Sequence, residues 1–457
     1  MIRNWNGKRV LIIGAARQGA ALVRYLVSHG VEVVLNDRCT SDELADVRES
    51  LADVKIEWVL GGHPLSVLND VDLVCPSGGV PLTIPLVVEA QKRGLQLAND
   101  SQIFLEAAPC RVVGITGSAG KTTTTTIVGR MAEVTAKTWV GGNIGNPLIT
   151  KVDEMDPDDL AVAEFSSFQL ELVTHSPQVA AVLNVTPNHL DRHGSMEAYT
   201  AAKANILSFQ RPGDVAVLGR DDTRAWSLAE SARGEIITFG LTHPPAGQMG
   251  VFPHQGWITL WDGESAKKLF PRELILLRGE HNLLNVLAAC AIAAAAELPV
   301  EAMQAGVEGF EGVPHRLEYV RSWGGADWYN DSIATAPERA IAAMRSFDEP
   351  LVLLAGGKDK DLPWEDFAQL VRRRVDHLII FGDASEKVIR AVDAAGPSER
   401  PYSISICARL HDAVDAAAQV VEPGDVVLLS PGGTSFDEFD DFAARGEWFR
   451  KWVNELA

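Results

Sequence analysis

The most informative stretch of the chain reads Val112-Val113-Gly114-Ile115-Thr116-Gly117-Ser118-Ala119-Gly120-Lys121-Thr122-Thr123. A short apolar run leads into a glycine-rich loop with a lysine, and helix-compatible residues follow, as in a phosphate-binding strand-loop-helix unit. Glycines let backbone N–H groups approach phosphate oxygens, Lys121 adds a positive charge, and the Thr122 hydroxyl can bind magnesium. Ile115 replaces the first glycine of the strict motif. A glycine-rich turn beside a solvated lysine is therefore the alternative interpretation.

Two further residues in this region are candidates for chemistry. Glu164 ends the predicted buried strand 160–163, where a nucleotide enzyme places a magnesium ligand. On its own, an acid at this place is more often a helix-start residue that the helix dipole favours. Lys203 lies in a predicted helix, 196–209, with no local signal around it, so its simplest interpretation is a solvated surface lysine. The loop from His189 to His193 lacks a closed zinc pattern.

Composition limits the function. A chain of 457 residues with 46% hydrophobic and 22% charged residues predicts a soluble protein of several domains. Its net charge of −20 argues against broad nucleic-acid binding, which needs a positive field. Five scattered cysteines without a C-x-x-C pair fit a reducing cytoplasm. No signal peptide is expected, because the strand-like 9–13 leaves no room for its regions. No membrane span is expected, because the longest uncharged apolar run, 286–296, is too short.

Strands alternate with helices along the chain, which predicts successive parallel sheets. The first region has glycine-containing loops after strands 10–13 and 71–75, and Asp37-Arg38 follows strand 31–35. This resembles a dinucleotide-binding start, although Ala16 replaces the middle glycine, and a plain strand-to-helix turn is equally consistent. Residues 240–270 predict small antiparallel strands. The expected fold is α/β with a Rossmann-like region, a P-loop-type central region and a Rossmann-like C-terminal region.

Boundaries are expected near Ala108-Pro109 and in 309–314, which gives domains 1–107, 108–312 and 313–457. Asn282 and Asn285 open an alanine-rich helix and could contact a base edge, although Asn282 could equally be its N-cap. In the last domain, Pro337 is expected to begin a helix. A glycine-lysine loop follows strand 351–354, where an anion could bind.

Taken together, these loops resemble those of the Mur ligases of peptidoglycan synthesis over the whole chain. The resemblance is carried by the 117–122 loop, Glu164 with 166–171, 184–186 with His189 and 191–192, 281–282, 314–316, 330–332, 356–360 and 429–437. It implies that ATP phosphorylates a substrate carboxylate and that the amine of an amino acid then attacks the acyl phosphate. The nearest likeness is to members that add D-glutamate to UDP-N-acetylmuramoyl-L-alanine.

By the same resemblance, each substrate has its own set of residues in this chain. Lys121, Glu164, His189 and Lys203 match catalytic positions, with Thr122, Glu164, His189 and a carbamylated Lys203 as ligands of two Mg²⁺ ions. The ATP set is Gly117, Ser118, Gly120, Lys121, Thr122, Thr123, Asn282, Asn285, Arg316 and Asp331. The UDP-sugar set is Gly14, Ala15, Ala16, Asp37, Arg38, Ser77, Gly78 and Asn143. The glutamate set is Thr335, Lys360, Ser435 and Phe442. The partners implied are these small molecules alone, with no nucleic acid and no membrane, and the protein is expected to be a monomer.

The chain departs from the family pattern at one informative place. Ile333 stands where the family has a lysine, and Lys358, one residue away from the usual loop pattern, is a candidate replacement. A related ligase of the folylpolyglutamate type, with another acceptor such as L-glutamate, therefore stays open. A nicotinamide-binding dehydrogenase domain and a ligase-like binding protein are weaker alternatives. A hinge in 309–314 is expected, because an acyl phosphate must be shielded from water.

Overall fold

The computed structural model describes Trp5 and residues 7–457. Residues 1–4 and 6 and the side chain of Asp191, a residue of the predicted motif, lie outside the description. Two compact units make up the chain. Unit 1 comprises Met1–Ile275 and Leu284–Glu308, and unit 2 comprises Leu276–Leu283 and Gly309–Ala457.

The first sheet of unit 1 is parallel and has the order β3-β2-β1-β4-β5. Its strands are β1 (Arg9–Ile13), β2 (Glu32–Asp37), β3 (Glu57–Leu60), β4 (Leu73–Pro76) and β5 (Gln96–Leu97). Its helices are α1 (Arg17–Ser28), α2 (Ala45–Ser50), α3 (Pro85–Lys92) and α4 (Asp100–Ala107), with a 3₁₀ turn at Leu65–Leu68. The strand order reverses between β1 and β4, so the loops after these strands border the crevice where such sheets bind ligands.

The second sheet of unit 1 has the order β14-β13-β12-β11-β10-β9-β6-β8-β7. Its strands are β6 (Arg111–Thr116), β7 (Thr138–Gly142), β8 (Leu160–Glu164), β9 (Val179–Val182), β10 (Val215–Gly219), β11 (Glu235–Phe239), β12 (Met249–His254), β13 (Trp257–Trp261) and β14 (Ala266–Pro271). Strands β6–β12 pair in parallel, and β12–β14 form the antiparallel meander that the sequence predicts for 240–270.

Helices α5 (Lys121–Glu133), α6 (Ser167–Leu170), α7 (Leu190–His193), α8 (Met196–Ser208), α9 (Thr223–Ser227), α10 (Glu280–Ala295) and α11 (Val300–Val307) accompany this sheet. Short 3₁₀ helices cover Leu148–Glu154, Leu228–Ser231 and Arg272–Leu274. The central strands read as apolar runs because both faces are covered: β8, for example, is buried at every position.

The sheet of unit 2 has the order β15-β16-β20-β17-β18-β19, and only the β15–β16 pair is antiparallel. Its strands are β15 (Glu318–Trp323), β16 (Ala326–Asn330), β17 (Leu351–Gly356), β18 (Val375–Phe381), β19 (Ser403–Cys407) and β20 (Val426–Gly432). Its helices are α12 (Pro337–Met344), α13 (Glu365–Arg374), α14 (Ser385–Ala394), α15 (Leu410–Val420) and α16 (Phe442–Glu455). Two apolar clusters, one on each face, hold these layers together.

The predicted α/β architecture with three successive sheets is confirmed. Pro337 begins α12, as its fixed φ angle favours. The N-cap alternative for Asn282 is wrong, because α10 already begins at Glu280. The domain boundaries after residues 107 and 312 stay predictions. Within the described residues, no helix has both the length and the apolar character needed to cross a membrane.

Candidate active site around the phosphate loop

The glycine-rich loop joins β6 to α5 and is held from the side by Asn184. The Ser118 N–H donates to the Asn184 carbonyl (3.0 Å) and the Ala119 N–H to Asn184 Oδ1 (2.8 Å), while Asn184 Nδ2 donates to the Ala119 carbonyl (3.1 Å). Lys121 Nζ donates to the Gly117 carbonyl at 2.9 Å, so the side chain folds back over its own loop. The solvated-lysine alternative is therefore wrong, since Lys121 is half-buried and bonded. The loop is preformed around the charge that a phosphate needs.

Gly120 immediately precedes the first turn of α5 and has a left-handed backbone, with φ of +82°. A Cβ added at this position would overlap Oδ1 of the buried Asn285. Glycine is therefore required twice, for its positive φ and for the close approach of α10. The predicted ATP-binding residues Gly117, Ser118, Gly120, Lys121, Thr122, Thr123 and Asn285 all belong to unit 1, and Asn285 packs directly on the loop.

Glu164 is the last residue of β8 and is 2% exposed. Its Oε2 accepts the Thr122 hydroxyl at 2.8 Å, and its Oε1 accepts Asn143 Nδ2 at 2.8 Å. The helix-start interpretation of Glu164 is wrong, because α6 begins three residues later and is capped by Ser166. A buried carboxylate bonded to a hydroxyl in the first turn of the phosphate-loop helix is an oxygen pair suited to Mg²⁺.

Lys203 is 1% exposed, so its interpretation as a solvated surface lysine is wrong. Its Nζ donates to the Gly117 carbonyl (2.9 Å) and to Thr116 Oγ1 (3.4 Å), and lies 4.6 Å from the centroid of the Tyr199 ring. Burial, and secondly the nearby positive Lys121, hold the pKa of the Lys203 amine well below its ordinary value. A lowered pKa makes the nucleophilic, neutral form of this amine more accessible than it is in a solvated lysine.

His189 precedes α7 in a left-handed conformation, with φ of +53°. Its ring meets the edge of Phe168 at 5.0 Å, and the ring of His193 stacks on Phe168 at 5.0 Å. His193 is engaged by Ser167 Oγ (2.9 Å) and Glu171 Oε1 (3.2 Å). Among the described side chains, no group of three His, Cys, Asp or Glu residues is placed to hold a metal ion. The predicted metal set of Thr122, Glu164, His189 and Lys203 stays a prediction.

The predicted UDP-sugar residues surround the crevice of the first sheet. Gly14, with φ of +99°, accepts the Ser77 hydroxyl on its carbonyl at 3.0 Å. Asp37 accepts the backbone N–H groups of Ala15 (2.7 Å) and Cys39 (2.9 Å). Although burial opposes it, these N–H bonds lower the pKa of Asp37. The structure brings these loops together, with Ala16 and Arg38 exposed at their rim and Gly78 half-buried against Gln18 and Gln169.

In unit 2, Asp331 follows β16 and is 5% exposed. It accepts the Ser430 hydroxyl (2.8 Å) and the Leu317 N–H (3.2 Å). Burial raises its pKa to about 7, and the Ser430 hydrogen bond and the charge of Arg316 oppose this increase. Asn282 donates to the Arg278 carbonyl at 2.8 Å. Asn282, Arg316 and Asp331, the remaining ATP candidates, thus all lie in unit 2.

The predicted glutamate residues Thr335, Lys360, Ser435 and Phe442 also lie in unit 2, in segments that follow its central strands. Partial burial, together with Arg339 and Arg445, lowers the pKa of Lys360. Arg339 Nη1 donates to the Ile333 carbonyl at 3.4 Å, whereas the Lys358 side chain is exposed. This region therefore holds several cations, and compensation for Ile333 by Lys358 stays untested.

Arg445 is a residue that the sequence analysis missed. It is fully buried and donates to Ser332 Oγ (2.9 Å) and to the carbonyls of Ser332 (2.8 Å), Gly433 (3.1 Å) and Thr434 (2.9 Å). Burial lowers the pKa of its guanidinium to about 10. It holds the loops after β16 and β20 together, and no local pattern in α16 predicts this.

The fold and the site together define a nucleotide-binding α/β enzyme of the P-loop type. The features that define this class are the strand-loop-helix phosphate cradle of the parallel strands, the buried carboxylate at a strand end and the second α/β unit. Matches to known families make this class specific. Residues 8–99 match the Mur ligase MurD-like N-terminal domain, 115–293 the Mur ligase middle domain, and 315–433 the Mur ligase glutamate ligase domain.

The chain belongs to the Mur ligase family. It is 40% identical over 456 residues to a UDP-N-acetylmuramoylalanine--D-glutamate ligase of Symbiobacterium thermophilum, covering 98% of each chain. It is 39% identical over 458 residues to the ligase of the same name from Pelotomaculum thermopropionicum, covering 100% of this chain and 99% of that one.

Solved structures share the fold at lower sequence identity. A UDP-N-acetylmuramate-alanine ligase of Thermotoga maritima is 18% identical, with a TM-score of 0.59, over 98% of this chain and 99% of that one. A pseudomurein peptide ligase of Methanothermus fervidus is 18% identical, with a TM-score of 0.57, over 99% of this chain and 100% of that one. These likenesses concern architecture alone.

Proposed function

We propose that this chain is an ATP-dependent ligase that adds D-glutamate to UDP-N-acetylmuramoyl-L-alanine. The family relationship and the names of relatives that align over 98% or more of the chain support this activity. The single structural observation that carries it is the buried Glu164 bonded to the Thr122 hydroxyl beside the phosphate loop. This is the oxygen pair that a magnesium-dependent phosphoryl transfer requires.

The reaction proceeds in two steps on the substrates. A carboxylate oxygen of UDP-N-acetylmuramoyl-L-alanine attacks the γ-phosphorus of ATP, and ADP leaves, which gives an acyl phosphate. The glutamate amine, in its neutral form, then attacks the acyl carbon; the C–O bond to phosphate breaks, inorganic phosphate leaves and the nitrogen loses a proton. Both steps depend chiefly on positioning and on neutralisation of phosphate charge.

The chain's own residues serve these steps from the phosphate loop. Lys121 exchanges its bond to the Gly117 carbonyl for phosphate oxygens, and the N-terminal end of α5 faces the same charge. Thr122 and Glu164 would hold Mg²⁺, and His189 would be the further protein ligand in this assignment. When bound, magnesium withdraws electron density from the phosphoryl group and neutralises its charge.

Lys203 serves as a carbamate in this proposal. Its lowered pKa supports this, because only a neutral amine adds to CO₂, forming an N–C bond and releasing one proton. The product is an anion under the Gly117 carbonyl, and it would turn a buried cation into a ligand for a second Mg²⁺. The burial of Lys203 and its contacts with the Gly117 carbonyl and Thr116 Oγ1, beside the phosphate loop, support that role.

The remaining assignments follow the three sheets. The first crevice takes the UDP-sugar, with Gly14, Asp37 and Ser77 as its organised edge. Asn282, Arg316 and Asp331 contact ATP, and Thr335, Lys360, Ser435 and Phe442 contact glutamate. We further propose domains 1–107, 108–312 and 313–457, a hinge in 309–314, and a monomer that acts in the cytoplasm. The five free thiols support a reducing compartment.

The residue at position 333 supports a second candidate acceptor. Ile333 removes a cation from the acceptor region, so an L-glutamate ligase of the folylpolyglutamate type is the alternative. Phosphate release separates the two activities, measured with ATP, Mg²⁺ and a panel of amino acids and acyl donors. The proposal expects release with UDP-N-acetylmuramoyl-L-alanine and D-glutamate together. Release with a folate-type donor and L-glutamate instead would establish the alternative.

A further inference from the structure

A continuous chain of hydrogen bonds runs from the first glycine loop of unit 1 to the phosphate-loop helix. Arg17 Nη2 donates to the Asn143 carbonyl at 2.9 Å. Asn143 Nδ2 donates to Glu164 Oε1 at 2.8 Å, and Thr122 Oγ1 donates to Glu164 Oε2 at 2.8 Å. Arg17 is the first residue of α1, directly after the loop that follows β1, and Asn143 follows β7, so segments next to both sheets take part.

The Asn143 loop is held closely against Glu164. The Asn143 N–H donates to the Glu164 carbonyl at 2.8 Å, in addition to the side-chain bond. The preceding Gly142 has φ of +103°, and a Cβ there would stand 2.5 Å from the Glu164 carbonyl oxygen. Asn143 is thus bonded through its N–H and its side chain to Glu164 and through its carbonyl to Arg17. Asn143 is therefore the one residue that lies between Arg17 and Glu164 in this chain of hydrogen bonds.

A second arginine makes the reciprocal connection. Arg192, at the end of α7 beside the second sheet, donates to the carbonyls of Gly78 and Gly79 in the first sheet, both at 3.2 Å. Its guanidinium lies 4.0 Å from the centroid of the Phe168 ring. This bond fixes the rim of the first crevice at another point. Arg17 is therefore the connection from the crevice that leads to the Glu164 carboxylate itself.

We propose that Arg17 is a positioning residue that aligns Glu164, through Asn143, for metal binding, and so couples the first crevice to the metal site. The inference rests on the proposed role of Glu164 in holding Mg²⁺. A guanidinium carries five N–H donors in a rigid fork, so Arg17 can hold Asn143 and still face an anion in its own loop. Binding of a phosphate-containing ligand in that loop would then tighten the metal site, and the converse follows from linkage.

The test compares Arg17→Gln with Arg17→Lys and with a matched control, Arg24→Gln. Arg24 lies on the same helix and pairs at 2.9 Å with the exposed Asp53, away from Asn143. The readout is binding of Mn²⁺, a paramagnetic substitute for Mg²⁺, measured by EPR titration with a non-hydrolysable ATP analogue. Arg17→Gln is expected to weaken Mn²⁺ binding about threefold to tenfold, because the charge-assisted hydrogen bond that is lost belongs to an exposed side chain. Arg17→Lys should recover part of this loss, and Arg24→Gln should bind as the wild type does.

The same substitution made in an Asn143→Ala variant distinguishes a positioning role of Arg17 from direct contact of Arg17 with the substrate. In Asn143→Ala, the bond to Glu164 Oε1 is absent, so adding Arg17→Gln should change Mn²⁺ binding less than about twofold. Unchanged Mn²⁺ binding in Arg17→Gln, or an equal loss in the Asn143→Ala background, would overturn the inference. So would an effect seen only in the KM for the UDP-sugar. These titrations need no turnover, so an inactive protein would count against the proposed function and not against the positioning of Glu164 by Arg17.

Discussion

Substitution of Gly120 by alanine tests the geometry of the phosphate loop. Gly120 combines a φ of +82° with contact to Asn285 Oδ1 where a Cβ would stand. A left-handed non-glycine residue costs about 1–2 kcal/mol. Displacing the buried Asn285 amide from its place costs about a further 1–3 kcal/mol. Because Asn285 packs on the phosphate loop, its displacement changes the nucleotide site itself, so affinity for an ATP analogue should drop about 10- to 100-fold.

Gly213→Ala is the matched control for this prediction. Gly213 has a similar φ of +97°, but nothing lies within 4 Å of an added Cβ. This variant therefore carries the backbone strain without the contact, and it should lose about 1–2 kcal/mol of stability with unchanged nucleotide affinity. The assays are calorimetric titration with a non-hydrolysable ATP analogue and Mg²⁺, and thermal unfolding of both variants. Wild-type affinity in Gly120→Ala, or equal loss in both variants, would refute the assigned contact.

Three further predictions concern titratable groups. Lys203→Ala should lower turnover more than about 1000-fold, since an anion near the metal is lost. Wild-type activity should fall in CO₂-free buffer and return when bicarbonate is added. Full wild-type activity without CO₂ would contradict the carbamate. Asp100→Asn removes a carboxyl whose pKa burial raises to about 6 from its ordinary 3.8. Because its folded state favours the proton, the wild type loses about 3 kcal/mol of stability in all as pH rises from below about 4 to above about 6. About 1.4 kcal/mol of this loss falls between about pH 5 and about pH 8. The variant should lack that loss in melts at these two pH values, and parallel pH profiles would contradict the assignment. Lys360→Met should raise the KM for glutamate with little change in kcat. Burial lowers the pKa of the Lys360 amine, so its deprotonation at alkaline pH should raise the KM of the wild type, and the variant should lack this rise. An unchanged KM in the variant would exclude Lys360 from the acceptor site.

The sequence predicted the three sheets because buried parallel strands are continuous apolar runs. Strand β8 is buried throughout, and its end marks Glu164 as a candidate. The resemblance to the Mur ligases is what favours a magnesium ligand over a helix-start acid at this position. Strands β3, β7, β15 and β19, which lie at sheet edges, and β11, which lies between β10 and β12, are not predicted from the sequence. Strand β19, Ser403–Cys407, is half-exposed along its length, so it lacks the apolar run that marks a central strand.

The features of the site that local sequence patterns do not show depend on contacts between distant parts of the chain. Lys203 is buried because α8 packs against β6, and nothing in the sequence around Lys203 indicates this contact. Arg445 receives its acceptors from Ser332, Gly433 and Thr434, each more than ten residues away. The bond from Arg17 to Asn143 joins residues 126 positions apart. Such pairings follow from topology, which local patterns do not encode.

The most direct test of the account is phosphate release by the purified chain with ATP, Mg²⁺, UDP-N-acetylmuramoyl-L-alanine and one glutamate enantiomer at a time. The account predicts release that requires all four components, that occurs with D-glutamate and not with L-glutamate, and that is absent in Glu164→Gln. No release with either enantiomer would contradict the proposed ligase activity. Release with L-glutamate alone would contradict the proposed acceptor.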